Sequence, residues 1–226
     1  MKIYYQDNDI IVVEKEYGVS SQESNGENMI SLIERETGVK PFCVHRLDTQ
    51  TTGVMVYAKT KESAAHLSKI VADGKMHKEY LALCHGKAPE YEEMVDYLYH
   101  DRMKNKSFVA DKKRNGTKEA RLELWTQGEA KYKEKELSLV KILLHTGRTH
   151  QIRVQLSSRG NPLYGDGKYG AKDNDKIALH CYKLGFFHPN GEYMTFVSFP
   201  KGGAWDAFDS LLPKKESKEK QEHFVN

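Results

Sequence analysis

The stretch that decides the fold reads His45-Arg46-Leu47-Asp48-Thr49-Gln50-Thr51-Thr52-Gly53 and continues into the alternating run Val54-Met55-Val56-Tyr57-Ala58-Lys59. It places one carboxylate among cations at a strand-turn-strand junction. In an extended segment the side chains at i and i+2 point the same way, so Arg46 and Asp48 share a face, while Val44 and Leu47 can anchor the loop in apolar surroundings. We expect this geometry to hold Asp48 ionised and aimed. From these residues alone, Asp48 is either a functional carboxylate or one paired with Arg46 for structural reasons.

The composition limits the class of protein. The chain has 226 residues, and a hydrophobic fraction of 38% is enough for a proper core. Its net charge of +3 is only mildly basic, so a polyanionic partner has to be inferred from local clusters of charge. Residues 1–9 lack the apolar core of a signal peptide, and the aliphatic runs are short. We therefore expect a cytoplasmic protein that does not enter a membrane.

The three cysteines are odd in number and widely spaced. Cys43, Cys84 and Cys181 contain no C-x-x-C pair, which argues against a disulfide framework. Each has a histidine nearby, but a metal site would need tighter, paired spacing. We interpret them as small buried residues of strands, and we expect no metal.

The hydrophobic pattern predicts more strands than helices. Apolar runs predict strands at 10–13, 79–84, 119–126, 137–145, 177–187 and 193–199. Helical spacing predicts helices at 28–37, 61–72, 148–158 and 204–212. Because most of the strands are not separated by crossover helices, we predict an α+β fold with a mixed, mainly antiparallel sheet flanked by a few helices and loops. One domain is expected over residues 1–212, and the charged residues 213–226 are expected to form a flexible tail.

Two familiar motifs are matched only in part. A protein-kinase catalytic loop also begins His-Arg, but it needs Asp directly after Arg and Asn five residues later, whereas here Leu47 intervenes and Gly53 lies five residues past Asp48. The segment 165–170 fits G-x-G-x-x-G, yet it follows a predicted helix and Pro162 instead of a strand. We interpret it as a turn.

Two cationic segments carry donors suited to RNA. Residues 145–153 place two arginines, two histidines and a glutamine around a helix start, and such donors suit phosphate or base edges. Residues 102–121 contain eight Lys or Arg and the turn Asn115-Gly116, which predicts a basic hairpin or loop that could clasp a nucleic-acid backbone. The alternatives are an exposed helix with a cationic face and a merely solvated loop.

Taken together, the segments resemble the RluA family of RNA pseudouridine synthases in collinear order. The stretch His45-Arg46-Leu47-Asp48 with Thr51-Thr52-Gly53 resembles the catalytic motif of that family. Further similar segments are Lys78-Glu79-Tyr80, Thr146 to Arg153, Gly165-Asp166 to Tyr169-Gly170, and Leu179-His180 with Phe187-His188-Pro189. The resemblance spans roughly residues 3–200, and it implies the pseudouridine synthase fold.

The resemblance implies an isomerase that converts uridine in structured RNA, either tRNA or large-subunit rRNA, to pseudouridine without a cofactor. Asp48 would be the nucleophile or stabilising anion, Arg153 would pair with it, and Tyr80 would stack on the base. The target uridine would be flipped out of its helix, with Arg46 bracing the vacated space. The expected substrate-binding residues are His45, Arg46, Leu47, Thr52, Gly53, Arg148, His150, Gln151 and Leu179. A catalytically silent RNA-binding module with the same fold is the alternative, and a monomer is expected in either case.

Two positions depart from the family pattern. Lys15-Glu16-Tyr17-Gly18 stands where relatives commonly have Lys-Pro-x-Gly, which removes a fixed proline φ from that turn. Thr52 stands where serine is common. Neither touches the expected catalytic residues, so they concern the rigidity of the loop. Since the chain begins at the predicted first strand, we also expect the catalytic domain to grip RNA without a separate N-terminal RNA-binding domain.

Overall fold

The computed structural model describes residues 1–213, which build a mixed sheet of eleven strands. The strands are β1 (Ile3–Gln6), β2 (Ile10–Lys15), β3 (Phe42–Cys43), β4 (Thr52–Ala58), β5 (His77–His85), β6 (Tyr91–Asp101), β7 (Lys106–Ala110), β8 (Thr117–Tyr132), β9 (Lys135–Leu144), β10 (Leu179–Phe187) and β11 (Tyr193–Val197). Their order in space is β1-β2-β4-β10-β5-β9-β8-β6-β7, with β3 beside β4 and β11 beside β10. Among these described strands, β4 and β10 form the parallel pair and the other neighbours are antiparallel. The predicted fold class is confirmed.

The helices cover the apolar faces of this sheet. They are α1 (Met29–Thr37), α2 (Lys61–Ala72), α3 (Gln151–Ser158) and two 3₁₀ helices at Gly167–Tyr169 and Gly203–Leu211. The first two begin with capping boxes: Asn28 and Thr60 each accept the amide of a serine three residues on, at 3.0 and 3.1 Å. These short polar caps before an apolar stripe explain why both helices lie within one residue of their predicted bounds.

The main core lies between α1, α2 and the centre of the sheet. Ile10 to Val13 in β2 are fully buried and pair antiparallel with β4, whose residues from Gly53 onward are buried on both faces. A fully buried Val or Ile side chain contributes about 1.5–3 kcal/mol relative to leaving it exposed. The loop 44–51 is therefore anchored at its C-terminal end, where it joins the buried strand β4.

Several elements differ from their predicted form. Strand β8 continues to Tyr132, six residues past its predicted end at 126, and the pattern predicted neither β1 nor β7. The third helix begins at Gln151 instead of 148, because residues 147–150 form a turn that ends with His150 in the left-handed region at φ 55°. The last helix is a 3₁₀ helix over Gly203–Leu211. Strand β6 had no apolar run to predict it, since one of its faces carries exposed side chains such as Tyr91 and Val95.

The basic segment 102–121 forms one end of the sheet. Residues 102–105 connect β6 to β7, and residues 111–116 cross the end of β6 to reach β8. A hydrogen bond of 3.1 Å from the Thr117 amide to the Arg114 carbonyl closes the turn at Asn115-Gly116. We call these two loops, 102–105 and 111–116, the basic end. The prediction of a basic hairpin is confirmed for the β6–β7 connection, whereas the Asn115-Gly116 turn belongs to the crossing loop.

The structure also bears on the predictions for the cysteines, the turn at 165–170 and the C-terminal tail. Cys84 and Cys181 are buried in β5 and β10, while Cys43 is half-buried in β3, and all three are free thiols. Residues 165–170 form a turn with a single 3₁₀ helix, as predicted. Within residues 1–213, no helix has the length and apolar character needed to span a membrane. Of the predicted tail 213–226, all but Pro213 lies outside the described residues, and the domain boundary stays a prediction.

Candidate active site

A cleft of about 580 Å³ opens where several segments meet. They are the loop 44–51, the end of α2 with residues 74–76, the first half of β5, the turn 144–150 with the start of α3, and Leu179 at the start of β10. The predicted residues that line this cleft are Asp48, Tyr80, Arg153, His45, Arg46, Leu47, Arg148, His150, Gln151 and Leu179. Side chains from positions as distant in sequence as 48 and 179 thus share one cavity.

The loop that carries Asp48 is fixed from inside the protein by a buried lysine. Lys15, at the end of β2, is fully buried, and its Nζ donates to the carbonyls of Glu16, Thr49 and Thr51 at 3.0, 3.0 and 2.7 Å. Burial lowers the pKa of Lys15 to about 8, although the charge of Asp48 acts to raise it. The lysine therefore ties the loop backbone and places a positive charge beneath Asp48.

Two further contacts hold the same loop. Ser21 Oγ donates to the Leu47 carbonyl at 2.8 Å, and the Val56 amide donates to Nε2 of His45 at 3.1 Å. Burial lowers the pKa of His45 to about 3, so the ring is neutral and serves as an acceptor. His45 lines the cleft, but its buried ring also anchors the start of the loop to β4.

Asp48 faces a guanidinium across the cleft. Nη1 of Arg153 lies 3.5 Å from Asp48 Oδ2, and Nε2 of His150 lies 3.9 Å from the same oxygen. Arg46 is exposed, and within the described residues it forms no ion pair with Asp48. The carboxylate partner is thus Arg153, as the resemblance implied, and the alternative pairing with Arg46 is wrong. At 3.5 Å the contact is longer than the 2.7–2.9 Å typical of a charge-assisted hydrogen bond.

Arg153 itself is held by a buried carboxylate that sequence reasoning did not select. Its Nε and Nη2 donate to the two oxygens of Asp166 at 2.7 and 2.8 Å, and both side chains are almost fully buried. This bidentate pair uses one edge of the guanidinium, and Nη1 on the other side is directed at Asp48. The available signal is Gly165-Asp166, a segment predicted to form a turn and similar to one of the family, in which the sequence predicts no role for Asp166 itself.

His150 joins the cleft to a second network. Its Nδ1 lies 2.9 Å from the Tyr169 hydroxyl, which in turn accepts the Ser107 amide at 2.8 Å. Burial lowers the pKa of His150, outweighing the opposite effect of Asp48. A neutral imidazole therefore separates Asp48 from Tyr169. The left-handed backbone of His150, uncommon for a non-glycine residue, directs the ring into this position.

Tyr80 and Leu179 form an aromatic and aliphatic surface in the cleft. Both are at least 95% buried, and they lie on adjacent strands, β5 and β10. Burial, together with Cys181 and the charge of Asp48, raises the pKa of Tyr80 well above its usual value. Tyr80 therefore keeps its hydroxyl proton, and its ring offers a flat apolar face to a planar ligand.

Two predicted substrate-binding residues do not line the cleft. Thr52 Oγ1 lies 2.7 Å from Nδ1 of His180, inside the sheet. Gly53 has φ 121°, and a Cβ there would lie 2.2 Å from the carbonyl oxygen of Cys181. Both positions serve the close parallel approach of β4 to β10, which only glycine permits at position 53.

Arg148 and Gln151 line the cleft and also stabilise its turn. The Gln151 Oε1 accepts from the Arg148 amide at 3.0 Å and from Thr146 Oγ1 at 2.8 Å. Arg148 Nε donates to the carbonyl of Glu119 at 2.8 Å. Because Gln151 satisfies the turn, the helix starts at this residue and not at Arg148.

One group of side chains outside the cleft could hold a metal ion. Asp7, Asp9 and His188 present ligand atoms within 4.8 Å of one another. Asp7 already accepts the amides of Asp9 and Ile10, both at 2.8 Å, and its Oδ2 lies 2.9 Å from His188 Nε2. These contacts stabilise the β1–β2 turn by themselves, and the expectation of no metal stays a prediction.

The chain is similar to proteins named for one activity. Residues 9–158 match the family model described as RNA pseudouridylate synthase. An uncharacterized RNA pseudouridine synthase of Aquifex aeolicus is 34% identical over 220 residues, covering 87% of this chain and 68% of the relative. The ribosomal large subunit pseudouridine synthase C of Buchnera aphidicola from Acyrthosiphon pisum is 30% identical, with 88% and 67% covered.

A solved structure supports the fold independently. Human RNA Pseudouridylate Synthase Domain Containing 1 superposes with a TM-score of 0.78 at 22% identity, covering 88% of this chain and 83% of the other. At this level of identity the likeness concerns the arrangement of the strands and helices.

Proposed function

The chain belongs to the RNA pseudouridylate synthase family, and we propose that this RNA pseudouridine synthase acts on structured RNA with Asp48 as its nucleophile or stabilising anion. The observation that carries the proposal is the position of Asp48 in the cleft, 3.5 Å from Arg153 and partly open to solvent. Lys15 beneath the loop adds a second positive charge.

The reaction is the isomerisation of a uridine within the RNA chain. The bond from uracil N1 to ribose C1′ breaks, the base turns, and C5 bonds to C1′. Asp48 attacks the uracil ring or the anomeric carbon, or assists glycal formation. Tyr80 holds the base by stacking, and Leu179 beside it keeps the surface apolar.

Access to the base requires that the nucleotide leave its helix. Arg46 lies exposed at the edge of the cleft, where it can brace the space left by the flipped base. The basic end supplies cations for the RNA backbone outside the cleft. Arg148, with its Nε bonded to Glu119, keeps its remaining donors for the same purpose.

For the substrate we propose large-subunit rRNA, with tRNA as the alternative. The support is the name of the Buchnera relative, a ribosomal large subunit pseudouridine synthase. We also propose that the enzyme acts in the cytoplasm as a monomer and needs no cofactor, because the named reaction involves no redox step. Activity that persists in EDTA would agree with a reaction free of metal, and its loss would contradict it.

The test is tritium release from RNA that carries uridine labelled at C5, comparing the wild type with Asp48→Asn. We expect release by the wild type and none by the variant, since the amide is nearly isosteric but lacks the anion. Full release by Asp48→Asn would remove the assigned role. Primer extension after carbodiimide treatment, on rRNA and tRNA from cells with and without the gene, would identify the uridine.

A further inference from the structure

Lys78 brings a positive charge into the cleft, and residues 1–213 supply no counter-ion for it. The residue lies in β5, two positions before Tyr80, so the two side chains point to the same face of the strand with Cα atoms about 7 Å apart. Lys78 lines the cleft, and its Nζ lies against the turn opposite: a Cβ at Gly147 would be 3.5 Å away. A base stacked on Tyr80 would present its edge within reach of this ammonium.

The other half-buried or buried cations around the cleft are neutralised or hydrogen-bonded. Arg153 pairs with Asp166, and Lys15 donates to three carbonyls. For Lys78, no hydrogen bond or ion pair is found in the part of the chain that the structure describes. A desolvated ammonium without a partner costs free energy. Such an arrangement indicates that the missing anion comes with the substrate.

The groups that face Lys78 are neutral at physiological pH. They are Cys181 from β10, His45 from the loop 44–51 and Tyr80 from its own strand. Burial raises the pKa of Cys181 to about 12 and lowers that of His45 to about 3. On the turn and α3, His145 bonds to Glu123, while Arg148, His150 and Arg153 have the partners described above. Burial lowers the pKa of Lys78 itself.

We propose that Lys78 is a catalytic residue that stabilises the uracil anion formed when the base separates from ribose. This inference rests on the proposed function. When the N1–C1′ bond breaks, its electron pair stays on the base, and the charge spreads over N1 and the two carbonyl oxygens. The ammonium donates a hydrogen bond to one of these oxygens and keeps its proton throughout.

The remaining steps balance without a further reactant. The electron pair that C1′ loses is replaced by a carboxylate oxygen of Asp48, or, in the glycal route, by loss of the 2′ proton. The turned base then forms its C5–C1′ bond as the Asp48 oxygen leaves C1′ with its electron pair, or, in the glycal route, as a proton returns to C2′. C5 then releases its proton to water, and N1 takes up a proton. Because the negative charge on uracil exists only after the bond breaks, Lys78 stabilises the transition state more than the bound substrate.

The experiment compares Lys78→Met and Lys78→Arg with the wild type in single-turnover tritium release at saturating enzyme. Removing a charge partner of a developing anion typically costs about 10²–10³-fold in rate, and we expect that loss for Lys78→Met with the Kd for RNA unchanged. Lys78→Arg keeps the cation and should recover part of the rate. The matched control is Lys75→Met, because Lys75 is exposed and lies outside the cleft.

A stability measurement separates this role from a structural one. Because Lys78 has no partner, Lys78→Met should melt at or above the wild-type temperature. A lower Tm would show that the ammonium stabilises the fold and would overturn the proposal. An unchanged rate for Lys78→Met would also overturn the proposal. If the variant bound RNA more weakly but kept the wild-type rate at saturation, Lys78 would be a phosphate contact instead. If the wild type released no tritium, the proposed function would fail first; release by the wild type and by Lys78→Met alike would remove only this inference.

Discussion

The cleft and the basic end are both cationic, but they differ in how firmly the charges nearest Asp48 are held. Arg153 in the cleft is fixed by Asp166, and Lys15 beneath the loop donates to three carbonyls. At the basic end, Lys112, Lys113 and Arg114 are exposed, and none of them forms an ion pair within the described residues. The difference separates two tasks. Fixed charges can act on a reacting atom at a defined distance, whereas free side chains can follow an RNA backbone of variable shape.

The largest effect is expected on the fixed side. Arg153→Ala removes the cation that faces Asp48 and leaves Asp166 buried without its partner. We expect the rate of tritium release at saturating RNA to fall by about 10³-fold, with the Kd for RNA nearly unchanged. Arg46→Ala is the matched control, because Arg46 is exposed and should affect mainly RNA handling. The opposite pattern would reverse the two assignments.

A smaller effect should reveal how tightly the loop is fixed. His45 accepts the Val56 amide only as a neutral ring, and its pKa is about 3 in the folded protein against about 6.5 when unfolded. Below pH 6.5 the unfolded chain binds a proton that the folded chain does not, so stability falls as the pH drops from 6.5 toward 3. At pH 5 this amounts to about 2 kcal/mol. Urea unfolding gives the free energy of unfolding at pH 7 and at pH 5, and the loss between the two should be smaller by this amount in His45→Gln than in the wild type. An equal loss in both proteins would contradict this role of His45.

The smallest effect is expected at the basic end. Replacing Lys112, Lys113 and Arg114 together with Ala should weaken RNA binding about 10-fold at moderate salt and reduce the salt slope by about 0.7–0.9 for each lost phosphate contact. The rate at saturating RNA should stay at the wild-type value. Titrations from low to high salt would measure both quantities. If the rate at saturating RNA fell and the salt dependence of binding stayed unchanged, these loops would take part in catalysis instead of RNA binding.

The residues that could be predicted from sequence are those whose signals are local. Asn28 and Thr60 start their helices through serines three residues away, and Asp48 is marked by its own loop. The roles of Lys15 and Asp166 could not be predicted, because they depend on contacts with distant segments. Lys15, for example, donates to the carbonyl of Thr51, 36 positions away in the sequence. A lysine is almost never fully buried, so nothing at position 15 predicted one. Lys78 lies in the family-like segment Lys78-Glu79-Tyr80, but its lack of a partner among the described residues is visible only in three dimensions.

The position of β10 between β4 and β5 makes the order of synthesis matter. Asp48 precedes β4, Tyr80 lies in β5, and the strand that separates them and supplies Leu179 is made about a hundred residues later. A nascent chain that has emerged only through α3 already contains Asp48, Tyr80 and Arg153. It lacks the strand that sets their spacing. Truncated products would therefore carry these three side chains without the strand between them, and we expect RNA modification only from a chain extended through residue 187.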